Sequence, residues 1–203
     1  MCYNAPMLDR FYLIVDSAAW LRRLLPCGAR LAQLRVKSTD DAFLRAEIAA
    51  AKKLCAHAGA QLVVNDHWRH AIDLGCDYLH LGQEDLDGAD VAAIRRAGAR
   101  IGVSTHDEGE LSRALSIDPD YVALGPVFPT TTKATTIREQ GLPAVERWRK
   151  ALGTRPLVAI GGITLDRAGD ILAAGADSLA LVSDVLGAAD PEARARQWVA
   201  ATR

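Results

Sequence analysis

What the chain lacks narrows its class before any motif is considered. It has no surplus of charge: 24 Lys and Arg stand against 25 Asp and Glu, a formal net charge of −1 over 203 residues. No overall field would draw it onto nucleic acid or an anionic membrane. It has no cysteine pattern either. Cys2, Cys27, Cys55 and Cys76 are scattered, with no CxxC pair and no zinc-type spacing, so neither a disulfide framework nor a structural metal is indicated. No apolar stretch approaches the ~20 residues that cross a bilayer, and MCYNAPMLDR at the N-terminus lacks the basic flank and apolar run of a signal peptide. These absences predict a cytoplasmic protein with free thiols and a small-molecule partner, binding neither nucleic acid nor membrane.

Half of the residues are hydrophobic and 24% are charged, a globular composition. Short apolar, β-branched runs recur through it: FYLIVD (11–16), LAQLRV (31–36), QLVVND (61–66), YLHLG (78–82), RIGVST (100–105), YVALG (121–125), PLVAIGG (156–162) and SLALVS (178–183). Between these eight candidate strands lie segments with helical spacing of apolar residues, such as DAFLRAEIAAAKKLCAHAG and PAVERWRKAL. Several end in glycine, at Gly59, Gly75, Gly98 and Gly175, as helix C-termini do. Strands that are apolar throughout and alternate with helices argue for a parallel sheet covered by helices. A doubly wound open sheet shares that alternation. Eight units of about 24 residues, with no linker or composition break, favour one (β/α)8 TIM barrel spanning residues 1–203.

In such a barrel the site forms where strands end and loops lead into helices. Read at that end, the second strand offers Gln33, Arg35 and Lys37, whose spacing by two sends them from one face. The third ends in Asn65 and Asp66, the fourth leads into Gln83, Glu84 and Asp85, and the fifth ends in Ser104 and Thr105. The sixth runs into GPVFPTTTK (125–133), the seventh into Gly161 and Gly162, and the eighth into Val182 and Ser183. Singly, these residues have plainer uses: a strand-end Asp or Ser caps the next helix, paired glycines make a tight turn, and a threonine run makes a solvated loop. His80 reads first as a satisfied interior histidine, nothing selects His106, and the tryptophans at 20, 68, 148 and 198 read as helix residues packed on the barrel.

Taken together, the set suits phosphate chemistry. Gly161, Gly162 and Ser183 fit the loops after strands seven and eight that hold phosphate through backbone N–H groups, with the threonines closing the side. Arg35, Lys37 and Lys133 would hold a second anion. Asp66 and Asp85, on neighbouring strand ends, suit Mg²⁺ carrying waters and bridging to phosphate oxygens.

QLRVK, NDHWRHAI, HLGQEDL, GVSTHDE, GPVFPTTTK, AIGGI and ALVS, in this order and spacing, resemble the motif series of the thiamine phosphate synthase and thiazole tautomerase barrels, over residues 11–190. The resemblance to the synthase branch implies a transferase that joins hydroxymethylpyrimidine diphosphate to a thiazole phosphate, simple or carboxylated, with loss of pyrophosphate. It further implies that Gln33, Arg35, Lys37, Asn65, Ser104 and Lys133 contact the pyrimidine diphosphate, with Arg35, Lys37, Ser104 and Lys133 acting catalytically. Asp66 and Asp85 would hold Mg²⁺, and Thr130, Thr131, Thr132, Gly162, Val182 and Ser183 would grip the thiazole phosphate. The implied reaction is dissociative, consistent with a chain that shows no Ser/His/Asp or Cys/His arrangement.

Two other readings share the barrel. A thiazole tautomerase would have no use for a diphosphate or a metal, and the joint presence of Gln33, Arg35, Lys37, Asp66, Asp85 and Lys133 speaks against it. A non-catalytic thiamine-phosphate-binding barrel would bind product without turnover. Tyr78 stands where family members carry a small residue, which predicts altered interior packing. A homo-oligomer is compatible with all three readings.

Overall fold

The computed structural model describes residues 8–130 and 138–203. Each apolar run forms a strand and feeds at least one helix. β1 (Phe11–Val15) leads to α1 (Ala18–Leu24), β2 (Leu31–Leu34) to α2 (Asp41–Ala58) and β3 (Gln61–Asn65) to α3 (Trp68–Asp73). β4 (Tyr78–Leu81) leads to α4 (Gln83–Asp87) and α5 (Val91–Arg96), and β5 (Arg100–Thr105) to α6 (Glu108–Ser116). β6 (Tyr121–Leu124) precedes α7 (Gly141–Leu152), β7 (Leu157–Ile160) precedes α8 (Ala168–Ala173), and β8 (Ser178–Leu181) precedes α9 (Ser183–Leu186) and α10 (Pro191–Thr202). Every neighbouring pair is parallel, and β8 returns to β1 with Phe11 opposite Leu179, closing a (β/α)8 barrel. Among the described residues no helix is long and apolar enough to cross a membrane.

Closure explains why the strands read as apolar throughout: one face packs on helices and the other fills the barrel. The outer core joins strand residues such as Leu13, Leu79 and Val103 to Leu21, Ile48, Trp148 and Trp198 of the helices. Trp20 and Trp68 pack against its margin, half-buried, so all four tryptophans lie on helices against the barrel. The inner core holds Tyr12, Ile14, Leu31, Val63, Tyr78, Tyr121, Ala123, Val158 and Ala180. β2 is shorter than its sequence pattern predicts. Its regular pairing stops at Leu34, although the Arg35 N–H still donates to the Val15 carbonyl at 2.8 Å.

Helix starts are set by aspartates. The carboxylates of Asp40, Asp90, Asp107 and Asp190 each accept a hydrogen bond from the backbone N–H three residues on, satisfying one orphan donor of α2, α5, α6 and α10. His106 is absorbed by the same device: its N–H and its Nδ1 both meet Glu110 Oε2 at 2.7 Å.

The opposite end of the barrel, where strands begin, is held by two charged clamps, one buried at Asp120 and one half-buried at Asp177. Asp120 accepts from the Ile101 N–H on β5 at 2.7 Å and from Arg95 Nη1 of α5 at 2.5 Å. Asp177 repeats the arrangement two strands on, accepting from the Leu157 N–H and from Arg149 Nη1, both at 2.7 Å. Each aspartate thus ties a strand to its neighbour and to a helix. A cavity of about 510 Å³ opens at this end, and Tyr78 lines it with the Arg100 guanidinium stacked 4.4 Å from its ring centroid. The bulky ring therefore packs at the barrel floor, where it is buried.

Replacing Asp120 leaves a strand N–H and a half-covered guanidinium without their acceptor. Asp120→Ala is expected to lower unfolding free energy by about 2 kcal/mol, the scale of charge-assisted hydrogen bonds. Urea unfolding measures this, and a loss below about 0.5 kcal/mol, the scale of an inconsequential surface change, contradicts the clamp.

Candidate active site

Two carboxylates mark the mouth of the barrel. Asp66 follows β3 directly with φ of 63°, in the left-handed region, which a non-glycine residue enters only at an energetic cost. That turn is pinned on both sides: the Asp66 N–H donates to the His80 carbonyl at 2.9 Å, and its own carbonyl accepts from the Trp68 N–H at 2.7 Å. The bend brings the Asp66 carboxyl within hydrogen-bonding reach of Asp85, in the first turn of α4. Gly82 makes room for this approach, because a Cβ there would stand 2.9 Å from Asp85 Oδ2. Both carboxylates line a cavity of about 370 Å³ with His67, Trp68, Arg69, His70, Glu84 and Gly88.

Neither aspartate caps a helix. α3 begins after His67 and α4 after Gly82, with no side-chain cap at either, in contrast to the four capping aspartates. Their proximity is electrostatically unfavourable. Burial first, and the Asp85 charge second, push the Asp66 carboxyl up to about 7, while Arg35 and an Asn65 hydrogen bond pull the other way. Among the described residues no group of three His, Cys, Asp or Glu side chains could hold a metal ion. A pair fits a hard cation that keeps most of its waters, since Mg²⁺ commonly takes one or two carboxylates and completes its shell with water and phosphate oxygens.

Around this pair stand the other strand-end residues. Gln33 is buried on β2, and beyond the strand Arg35 is half-buried and Lys37 exposed. The three expected to share one strand face therefore climb out of the barrel in a staircase. Among the described residues neither the Arg35 nor the Lys37 side chain forms a salt bridge, and the Arg35 charge acts on the Asp66 carboxyl and on His80. Asn65 is buried at the end of β3. Ser104, on β5, meets His80 Nε2 through its hydroxyl at 2.7 Å, and its carbonyl accepts from Gln83 Nε2 at 2.7 Å.

The far side of the mouth is shaped by glycine. Gly161 and Gly162 have φ of 98° and 62°, and a Cβ on them would fall 2.6 Å from Pro126 Cα and 2.4 Å from the Pro129 carbonyl oxygen. Only glycine allows the β6 loop to lie this close on the β7 loop. Phe128 N–H then donates to the Gly161 carbonyl at 3.0 Å, and Arg167 Nη1 to the Gly162 carbonyl at 2.8 Å. This packing sets the root of the threonine loop as far as Thr130, which is half-buried. Thr131, Thr132 and Lys133 lie outside the described residues. After β8, Val182 precedes α9, and Ser183 is its first, exposed residue. Asp184 beside it is a structural group, accepting from Arg194 Nε and Nη2 at 2.9 Å and from Trp198 Nε1 at 2.6 Å.

Sequence reasoning left one feature of the interior unread. Gln33 Nε2 donates to the Tyr12 hydroxyl at 2.8 Å, which meets the Tyr121 hydroxyl at 2.9 Å, which meets His80 Nδ1 at 2.7 Å, and His80 Nε2 reaches Ser104. His80 is the satisfied interior histidine expected, pushed down to about 4 by burial and, after it, by Arg35, so it is neutral at physiological pH. The signal that was present is Gly102, whose Cβ would stand 2.0 Å from Tyr121 Cζ: only glycine lets that ring cross β5.

Comparison with known proteins identifies the family. The family described as thiamine monophosphate synthase matches residues 11–185. The chain is 58% identical over 195 residues to the thiamine-phosphate synthase of Rhizobium etli, covering 96% of each, and 48% identical over 184 residues to that of Neisseria meningitidis serogroup A, covering 91% of this chain and 90% of that one. Its fold superposes on the thiamine phosphate pyrophosphorylase of Pyrococcus furiosus with a TM-score of 0.85 at 28% identity, over 95% of both chains. With so much of its length matched, and with its strand-end chemistry gathered at one mouth, the chain belongs to the thiamine monophosphate synthase family.

Proposed function

We propose that this protein is a transferase joining hydroxymethylpyrimidine diphosphate to a thiazole phosphate, giving thiamine phosphate and pyrophosphate. Family membership across the barrel supports the reaction, and the close approach of Asp66 to Asp85, with the Arg35 charge acting on Asp66, is the observation that carries the mechanism. The breaking bond joins the pyrimidine methylene to the diphosphate oxygen, whose electron pair leaves with pyrophosphate. The thiazole nitrogen then donates its lone pair to the methylene carbon. No side chain needs to act as nucleophile.

What the chain must supply is charge at the leaving group and alignment of two substrates. Arg35 and Lys37, which follow β2, would neutralise the departing diphosphate together with Lys133, which lies outside the described residues. Asp66 and Asp85 would hold Mg²⁺, which when bound offsets diphosphate charge and lowers the barrier to its departure. Gln33, Asn65 and Ser104, at the ends of β2, β3 and β5, would hold the pyrimidine from inside the barrel. Gly162, Val182 and Ser183, with Thr130, Thr131 and Thr132, would bind the thiazole phosphate at the start of the short helix α9.

Purified protein given both substrates and Mg²⁺ is expected to form thiamine phosphate and pyrophosphate, and to stop on chelation. Binding of either substrate by folded protein without turnover would favour a binding barrel. Loss of Asp66 by substitution with Asn is expected to reduce kcat about 100-fold, the scale of losing one preorganised electrostatic group. Retention of more than half the activity would remove Asp66 from the metal site.

Asp66 also makes a pH prediction. Its folded-state value, about 7, lies above the ~3.9 of an unfolded Asp, so between those limits the folded chain holds a proton that the unfolded chain releases. Without metal, this group's contribution to stability is fully present below about pH 4 and is lost as pH rises towards 7. Mg²⁺ favours the ionised pair, so the rise in Tm on adding it should grow from about pH 5.5 to about pH 8 and vanish in Asp66→Asn. A Tm rise that ignores pH, or persists in the variant, contradicts the assignment.

A further inference from the structure

We infer that the buried chain running from Gln33 through Tyr12, Tyr121 and His80 to Ser104 is a polarity relay. Its protons all point one way, and it fixes across the barrel what Gln33 and Ser104 present to the pyrimidine substrate. Tyr12, Tyr121 and His80 are then positioning residues, an assignment that rests on the reaction proposed above for its ligand but not for its geometry.

The direction follows from donor accounting. Gln33 Nε2 is a donor, so the Tyr12 oxygen accepts from it at 2.8 Å and the Tyr12 proton turns to Tyr121, 2.9 Å away. Tyr121 therefore accepts from Tyr12 and donates to His80 Nδ1 at 2.7 Å. With Nδ1 accepting, the neutral imidazole carries its proton on Nε2 and donates it to Ser104 Oγ at 2.7 Å. The Ser104 hydroxyl proton is left free for a ligand acceptor. At the other end, Gln33 keeps one N–H and its carbonyl, a donor and acceptor pair that matches the edge of an aminopyrimidine.

Only one other arrangement satisfies every group. If the Gln33 carbonyl faced Tyr12, each proton would reverse, His80 would carry Nδ1–H, and the Ser104 hydroxyl would donate to His80. The two ends are thus coupled, and a ligand that fixes one fixes the other. Three strands supply the middle of the relay, β1, β4 and β6, and Gly102 on β5 clears the path by which Tyr121 reaches His80.

The tautomer of His80 reads the relay directly, by ¹⁵N NMR of the substrate-free protein. Wild type should show Nε2–H. Gln33→Glu, at a pH where the introduced carboxyl is ionised, presents only acceptors to Tyr12 and should switch His80 to Nδ1–H through three intervening hydrogen bonds. Adding Tyr12→Phe should abolish that switch. Nδ1–H in wild type would overturn the direction assigned here, and an unchanged tautomer in Gln33→Glu or an undiminished switch in the double variant would overturn the relay itself. Should Gln33→Glu fail to fold, Tyr12→Phe alone should leave His80 in both tautomers, and a single unaltered tautomer there overturns the proposal. In turnover, Tyr121→Phe should lower kcat/KM for the pyrimidine diphosphate about ten-fold, the scale of one buried hydrogen bond, with KM for thiazole phosphate unchanged. Because the tautomer is measured without substrate, failure to make thiamine phosphate would count against the reaction and leave the relay standing.

Discussion

The approach of Asp66 to Asp85 is the constraint around which the mouth of the barrel is arranged. Two carboxylates in partial burial repel, and nothing in local sequence preference would bring them together. Their approach requires Asp66 to take a left-handed backbone, Gly82 to lack a side chain, and β3 and β4 to pair with Asn65 opposite His80. The folded barrel supplies these terms, holding an unfavourable charge arrangement that a divalent cation with its diphosphate would relieve. Strain of this kind survives only where the surroundings over-determine it.

The stabilising clamps and the candidate site lie at opposite ends. At the start of the strands, Asp120 and Asp177 stitch neighbouring strands to helices through charge-assisted bonds, and Tyr78 with Arg100 packs the floor. At the other end, Asp66 meets Asp85 and the β6 loop lies on Gly161 and Gly162. The interior between them is not the purely aliphatic filling typical of such barrels. Tyr12, Gln33, His80 and Tyr121 form a polar layer, tolerable because among the described residues no buried side-chain N or O atom lacks a partner.

How far the sequence could be read follows from what local pattern encodes. Parallel strands buried on both faces produce continuous apolar runs, so all eight strands, their order and the barrel were legible. The end of β2 was not: periodicity continues through Arg35 and Val36, whereas pairing stops at Leu34 once the loop turns towards α2. Asp66 and Asp85 were visible as strand-end acids, but the left-handed turn that joins them leaves no residue signature. His80 looked like an interior histidine and is one. Its partnership with Tyr121 spans 41 residues, and that of Tyr12 with Tyr121 spans 109, distances at which only the fold itself makes neighbours.

The central claim is that the two mouth carboxylates receive the metal of the leaving diphosphate. Its most direct test is a crystal of the protein soaked with Mn²⁺ and pyrophosphate, examined for anomalous scattering. The account predicts one strong peak bridging Asp66 and Asp85, with pyrophosphate oxygens completing its shell and Arg35 on the pyrophosphate. A peak elsewhere, or pyrophosphate bound away from this pair, would contradict it.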